Sequence, residues 1–354
     1  MINNIRLQHF RSFNNGSFEI SSGVNIVVGP NASGKTNLLE AILVLARGSS
    51  YRAKDSDLVQ FKKPWTRLDA NLAGDKQRTI KITNTPKNEK TYELDKKPYR
   101  RLSYDHTLPV VLFEPDHLRL LSGGPERRRD YLDDLLEQTD QSFGATRRNY
   151  RRALAQRNAL LKKPGSPSAQ IFPWDLRLSE LAGQIVRARA ELVDKLNSKT
   201  TKLYKTLSGT KTRVELVYQN RWPIDGYETK MLKELESHLE ADRLRGFTGA
   251  GPHREDLAVL FSGRSAQEVA SRGEVRTAVL TLKIIEMGLL EETRSTTPLL
   301  LLDDVFSELD GKRRRALTDH LAPYQTFITT TDADSVLSHF SEHTNVIPLA
   351  KIRT

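Results

Sequence analysis

Cysteine is absent from the 354 residues, which excludes disulfides, thiolate metal sites and cysteine nucleophiles. No run approaches the roughly 20 consecutive apolar residues that a membrane helix needs, and the opening MINNIRLQHF lacks the apolar core of a signal peptide. A soluble cytoplasmic chain without membrane contact is therefore expected. Zinc patterns, a helix-turn-helix signal, internal repeats and low-complexity tracts are missing too, so sequence-specific DNA reading and solenoid folds are not expected. What remains is a globular composition, 38% hydrophobic and 28% charged, sufficient for one or two cores. Lys and Arg total 55 against 44 Asp and Glu, a net charge of +11 that favours contact with a polyanion such as nucleic acid.

Residues 1–45 read as strand, turn, strand, glycine-rich loop, helix. LDANL, TIKIT and TYELD then alternate as antiparallel strands between the turn-like AGDKQR and NTPKNEK. After LPVVLF, residues 108–113, helical patterns persist to about residue 245. Leu178, Leu181, Ile185, Leu192, Leu196 and Leu203 share one helical face, a stripe from Leu154 to Leu161 lies upstream, and KKPGSPSAQIFPW, residues 162–174, marks the loop between two long helices. From Gly249 onward strands and helices alternate again. An α/β domain of residues 1–113 plus 246–354, with an antiparallel strand layer and a helical insert of residues 114–245, is the expected organisation.

Gly29, Pro30, Asn31, Ala32, Ser33, Gly34, Lys35 and Thr36 complete the phosphate-loop pattern between an apolar strand and an amphipathic helix. The glycines let backbone N–H groups face a β-phosphate, Lys35 supplies charge to the β and γ oxygens, and Thr36 offers a hydroxyl to Mg²⁺. The apolar Leu299 to Leu302 delivers Asp303 as the second Mg²⁺ ligand. Asp304 is placed to orient or deprotonate an attacking water, so ATP and Mg²⁺ are the expected cofactors of a hydrolase. Ser271-Arg272-Gly273-Glu274 opens a long helix. Ser271, Gly273 and Glu274 suit a second γ-phosphate site serving the nucleotide of another subunit, or Ser271 is an ordinary helix cap. The first reading implies an ATP-sandwiched homodimer.

The order HFRSF, GPNASGKTNLLEAI, GSSYR, FEPDHLRLLSGGPERRRDYLD, GAGPHREDL, SRGEVRTAVLTLK, LLLLDDVFSELD resembles the bacterial RecF family, an SMC-like branch of the ABC ATPases. The resemblance implies a P-loop ABC-type ATPase head built from both termini, an inserted helical arm, slow ATP hydrolysis and DNA binding. It also implies work in recombinational repair at gaps with RecO- and RecR-like partners. By the same resemblance Arg11 matches a phosphate-adjacent arginine, a threonine of Thr329-Thr330-Thr331 occupies the switch-histidine position, and Glu114 lies near the glutamine-loop position.

Residues 147–163 carry seven basic residues and no acid on a helical pattern, so Arg147, Arg148, Arg151, Arg152 and Arg157 are expected to follow DNA phosphates without sequence preference. Lys96 to Arg101 is a second basic segment. Arg127 to Arg129, mixed with Asp130, Asp133 and Asp134, suit internal ion pairs, and His253 suits packing or a phosphate contact. A transporter's nucleotide-binding subunit would share the loop, signature and acids but not the long insert. A nuclease fusion would need a further carboxylate cluster.

Overall fold

The computed structural model describes residues 1–340 and 344–350. The chain opens with strands β1 (Ile2–Phe10), β2 (Phe13–Glu19) and β3 (Val24–Val28), then helices α1 (Lys35–Arg47) and α2 (Asp55–Leu58). Strands β4 (Trp65–Leu72), β5 (Lys76–Thr83), β6 (Glu89–Leu94), β7 (Lys97–Tyr99) and β8 (Val110–Phe113) follow. Next come α3 (Pro125–Thr139), α4 (Phe143–Leu161), α5 (Ser168–Ser208), β9 (Val214–Gln219), α6 (Tyr227–Ser237) and α7 (Leu239–Arg245). The chain continues through β10 (Asp256–Phe261), β11 (Arg264–Ser265), α8 (Ala266–Val269) and α9 (Arg272–Arg294). It ends with β12 (Leu299–Asp303), α10 (Val305–Glu308), α11 (Gly311–Leu321), β13 (Thr326–Thr330), α12 (Ala333–Leu337) and β14 (Asn345–Pro348).

These elements form two compact units, Met1–Leu118 with Glu286–Thr354 and Arg119–Ile285. In the first, an antiparallel sheet of order β2-β1-β4-β5-β6-β7 accompanies a parallel sheet of order β14-β3-β13-β12-β8. The hydrophobic run of α1 from Leu38 to Ala46 is buried nearly all round, as expected of a helix without a solvent face. Its Leu38 and Ile42 share one core with Ile5, Leu7, Leu68 and Ile80 of the antiparallel sheet and with Leu301 and Phe327 of the parallel one. LLLL in β12 needs no alternation because a central parallel strand is covered on both faces.

The second unit joins α3 to α7 to a small antiparallel sheet of order β11-β10-β9. Leu178, Leu181, Ile185, Leu192 and Leu196 are buried along α5, while Leu203 is only partly so. Three expectations differ from this arrangement. The loop expected at 162–174 is shorter, since α5 starts at Ser168 and carries Pro173 inside it. VELVYQ interrupts the helical text as β9, its alternating burial matching a strand. Because β9 pairs with β10, residues 246–285 join the helical unit rather than the head, and the expected boundaries at 113/114 and 245/246 fall instead at 118/119 and 285/286.

Candidate functional site

Parallel register brings the carboxyl ends of four strands together in the first unit. Thr330 of β13 pairs with Val28 of β3, Asp303 of β12 with Thr329, and Leu302 with Phe113 of β8. The loop from Gly29 to Gly34 leaves β3 at this edge and enters α1. Gly34 takes φ +96°, a backbone conformation costly for any residue with a Cβ, and an added Cβ would sit 2.9 Å from Ser12 Oγ. Lys35 Nζ donates to the carbonyls of Gly29 at 2.7 Å and Pro30 at 3.0 Å, so its ammonium lies within the loop's curve.

On the next residue of α1, Thr36 Oγ1 donates to Asp303 Oδ1 at 3.1 Å. Thr329 Oγ1 donates to the same oxygen at 2.6 Å and accepts from the Asp304 N–H at 2.9 Å. Thr329 thus ties the two acids together, a role the sequence did not single out. Thr331, by contrast, is exposed beyond the strand, while Thr330 bonds locally to Asp332. Asp304 has φ +52°, a left-handed geometry that Asp tolerates better than most residues, at the turn into α10. A hydroxyl and a carboxylate 3.1 Å apart are hard oxygen donors of the kind Mg²⁺ takes.

Beside this cluster the Glu114 carboxyl is pushed up by burial and by the nearby Asp303 and Asp116, against a lowering hydrogen bond from Tyr51. Burial pushes the Tyr51 hydroxyl up as well, with Glu114 adding to the shift.

Arg11 departs from expectation. Its Nε and Nη2 both donate at 2.9 Å to Glu40 on α1, and Nη1 donates to the Asp57 carbonyl. The guanidinium is therefore committed to a carboxylate and not to the phosphate loop. Glu40 itself is fully buried, receives Arg52 at 2.9 Å and Ser50 at 2.5 Å, and was invisible as a functional residue because its partners lie in separate segments. Burial alone would raise its carboxyl, but the bonds from Arg11, Arg52 and Ser50 outweigh that and hold it at about 2.

Ser271 and Glu274 lie in the second unit, at the start of α9. Ser271 N and Oγ approach Glu274 Oε2 at 2.9 and 2.8 Å, and Glu274 N donates back to Ser271 Oγ at 3.3 Å. This is a reciprocal capping box, which leaves the Gly273 region at a capped helix N-terminus.

Two of the five arginines expected to meet DNA are interior. Arg157 is 0% exposed, with Asp175 at 2.5 Å, Asp242 at 2.7 Å and Thr248 Oγ1 at 2.9 Å. Arg147 is buried among Asp130, Asp133, Asp134 and Glu137, with N···O distances from 3.0 to 3.4 Å. Both are corrections: these guanidiniums neutralise carboxylates inside the unit and cannot reach a phosphate. Arg148, Arg151 and Arg152 are exposed, Arg148 and Arg152 on the far side of α4 and Arg151 one turn beyond Arg147 at the edge of the buried face, near Asp130. Arg128 pairs with Asp256 at 2.7 Å, in line with the internal role expected for its segment. His253 bonds Tyr150 at 2.7 Å and burial pulls its imidazole down to about 4, so it is a neutral packing residue.

Among the described residues no helix is long and apolar enough to cross a membrane. The family model for the RecF/RecN/SMC N terminal domain matches residues 1–351. The DNA replication and repair protein RecF of Heliobacterium modesticaldum is 34% identical, covering 92% of this chain and 91% of that protein. Its counterpart in Symbiobacterium thermophilum is 36% identical, covering 95% and 92%. A solved structure described as the recombination mediator protein RecF-ATPrS in the RecFOR pathway has a TM-score of 0.88 and 29% identity, covering 100% of this chain and 98% of that one. The family model spans nearly the whole chain and the RecF relatives match it over nine tenths of its length or more, so the chain belongs to the RecF/RecN/SMC family, in its RecF branch.

Proposed function

We propose that this chain is an ATP-operated DNA clamp of recombinational repair and replication-gap processing, held closed by ATP and reset by slow hydrolysis. The observation that carries the reading is the Thr36–Asp303–Thr329–Asp304 chain of bonds at the mouth of the phosphate loop. Lys35 and the loop's N–H groups bind the β- and γ-phosphates; Thr36 and Asp303 would hold Mg²⁺, which would supply charge to neutralise the phosphates. Asp304, oriented through its own N–H by Thr329, holds the attacking water and accepts its proton. Turnover is slow because no histidine stands in Thr329 to Asp332 to sense the γ-phosphate.

Ser271, Gly273 and Glu274 act on the nucleotide of a second copy, the capping box opening to give the Ser271 hydroxyl and the Gly273 N–H to that γ-phosphate. The dimer grips DNA through phosphates, with Arg148, Arg151 and Arg152 of α4 as contacts. The relatives named for DNA replication and repair, and the one described in the RecFOR pathway, support RecO- and RecR-like partners and a place on the nucleoid in the cytoplasm.

Light scattering on Asp304→Asn tests the switch. The variant keeps the backbone geometry, since Asn also accepts positive φ, but lacks the base. The mass doubles with ATP and Mg²⁺ and not without them. A variant that stays monomeric with ATP, Mg²⁺ and DNA together removes the sandwich and leaves Ser271 a helix cap.

A further inference from the structure

A single exposed hydrophobic side chain is ordinary on a protein surface, so Phe247 carries meaning only through what surrounds it. Phe247, 41% exposed, lies on the short connection that follows α7, and Leu244, 91% exposed, is in the last turn of α7. The connection is not loose. Thr248 is fully buried, its N–H and hydroxyl approach Asn158 Oδ1 on α4 at 2.9 and 2.7 Å, and its hydroxyl also receives Arg157. Phe247 therefore projects from a backbone bolted to the same helix that carries the exposed arginines.

The exposed charges around it are mostly positive. Asp242 is turned inward to Arg157 and to the Gly249 N–H. Glu240 is occupied by Arg243 at 2.6 Å. Arg245, Arg254, Lys162 and Lys163 are all exposed. The Arg254 guanidinium lies 4.8 Å from the Phe247 ring centroid, and Lys162 lies beside Gly246, where an added Cβ would be 3.4 Å from Lys162 Cγ. An aromatic ring, a guanidinium plane and a rim of lysines are what a nucleobase and its flanking phosphates require: stacking for the base, charge for the backbone. Arg148 and Arg152 lie on α4 and Lys162 caps its C-terminus, about 15 Å beyond Arg152 at about 1.5 Å per residue, so exposed cations stand at both ends of the path to the ring.

We propose that Phe247 and Arg254 form a stacking site for one unpaired nucleobase of the DNA whose phosphates run along α4. This rests on the DNA reading above and deepens it. A paired base inside a duplex has both ring faces covered by its neighbours, so only DNA that offers a bare face, at a gap, an end or an extruded base, engages the ring. The phosphate contacts of Arg148, Arg151 and Arg152 take any DNA; the ring distinguishes DNA that has lost a strand.

The test uses the full chain with ATP and Mg²⁺, titrated by fluorescence anisotropy against an intact duplex and against a duplex of equal length with a short gap containing 2-aminopurine. Phe247→Ala weakens binding to the gapped DNA about tenfold, as expected for loss of one stacked base, and leaves the duplex within about twofold. Phe247→Trp restores gapped binding, and its indole emission is quenched by the gapped DNA and not by the duplex. Equal affinity of wild type and Phe247→Ala for the gapped DNA, with 2-aminopurine emission unchanged, overturns the stacking site. Wild type binding neither DNA is a separate failure, because it removes the DNA reading itself.

Discussion

The two faces of α4 carry the same residue type and do opposite work. On one, Arg147 and Arg157 are enclosed by six carboxylates in total and hold helices together. On the other, Arg148 and Arg152 are exposed, with Arg151 exposed at its edge. The inner pair is compensated by those carboxylates, whereas the outer three are exposed to a polyanion, Arg151 with Asp130 nearby. A run of arginines is thus two half-runs with separate energetics, and net charge alone overstates what a surface presents.

Arg157→Met gives the largest expected effect. It leaves Asp175 and Asp242 buried without their partner and lowers stability by about 4 kcal/mol, read as a shift in urea midpoint. If the midpoint moved no more than for Arg152→Ala, the division of α4 into structural and binding faces would be wrong.

Glu40→Gln carries the same contrast into the first unit and costs about 3 kcal/mol at neutral pH, because Arg11 and Arg52 lose their shared carboxylate. Its pH dependence follows from a folded carboxyl held at about 2 against an ordinary value of roughly 4.3. The contribution is complete above the unfolded value and disappears as pH falls through the folded one. Acid titration of stability followed by circular dichroism should therefore show wild type losing this increment between about pH 4 and 2, and Glu40→Gln lacking that limb.

Smallest in stability and largest in binding is the triple change Arg148→Ala, Arg151→Ala and Arg152→Ala. Each site shifts stability by less than about 0.5 kcal/mol, while the slope of log affinity for DNA against log salt flattens by about 2 to 3. An unchanged slope would move the DNA track off this helix.

What could be seen in the sequence was what is local in sequence. The phosphate loop needs Gly29, Gly34, Lys35 and Thr36 within one turn of chain, and Asp303 follows an unbroken apolar strand, so spacing sufficed. The antiparallel layer was equally legible in the alternation of β4, β5 and β6. Arg157 was misread because its neutralising Asp242 is 85 residues away, and no acid interrupts the basic run. Glu40 was missed for a similar reason, with Arg11 lying 29 residues before it. The domain boundary failed where β9 and β10, strands on either side of two helices, turned out to pair. Capping at Ser271 was an open alternative, decided for the isolated chain by hydrogen bonds to Glu274 that its spacing permits but does not compel.

The placement of β3 sets the order in which this chain can mature. It pairs with β13 on one side and β14 on the other, and Asn25 meets Asn345 across a separation of 320 residues. The strand that launches the phosphate loop is made about 300 residues before its neighbours, Thr326–Thr330 and Asn345–Pro348, and stays without them until those have left the ribosome. Residues 119–285, contiguous in sequence, can fold while it waits. A nucleotide site assembled this way reports completeness: a prematurely terminated chain could still own a folded helical unit, but it could not own the parallel sheet that presents the loop.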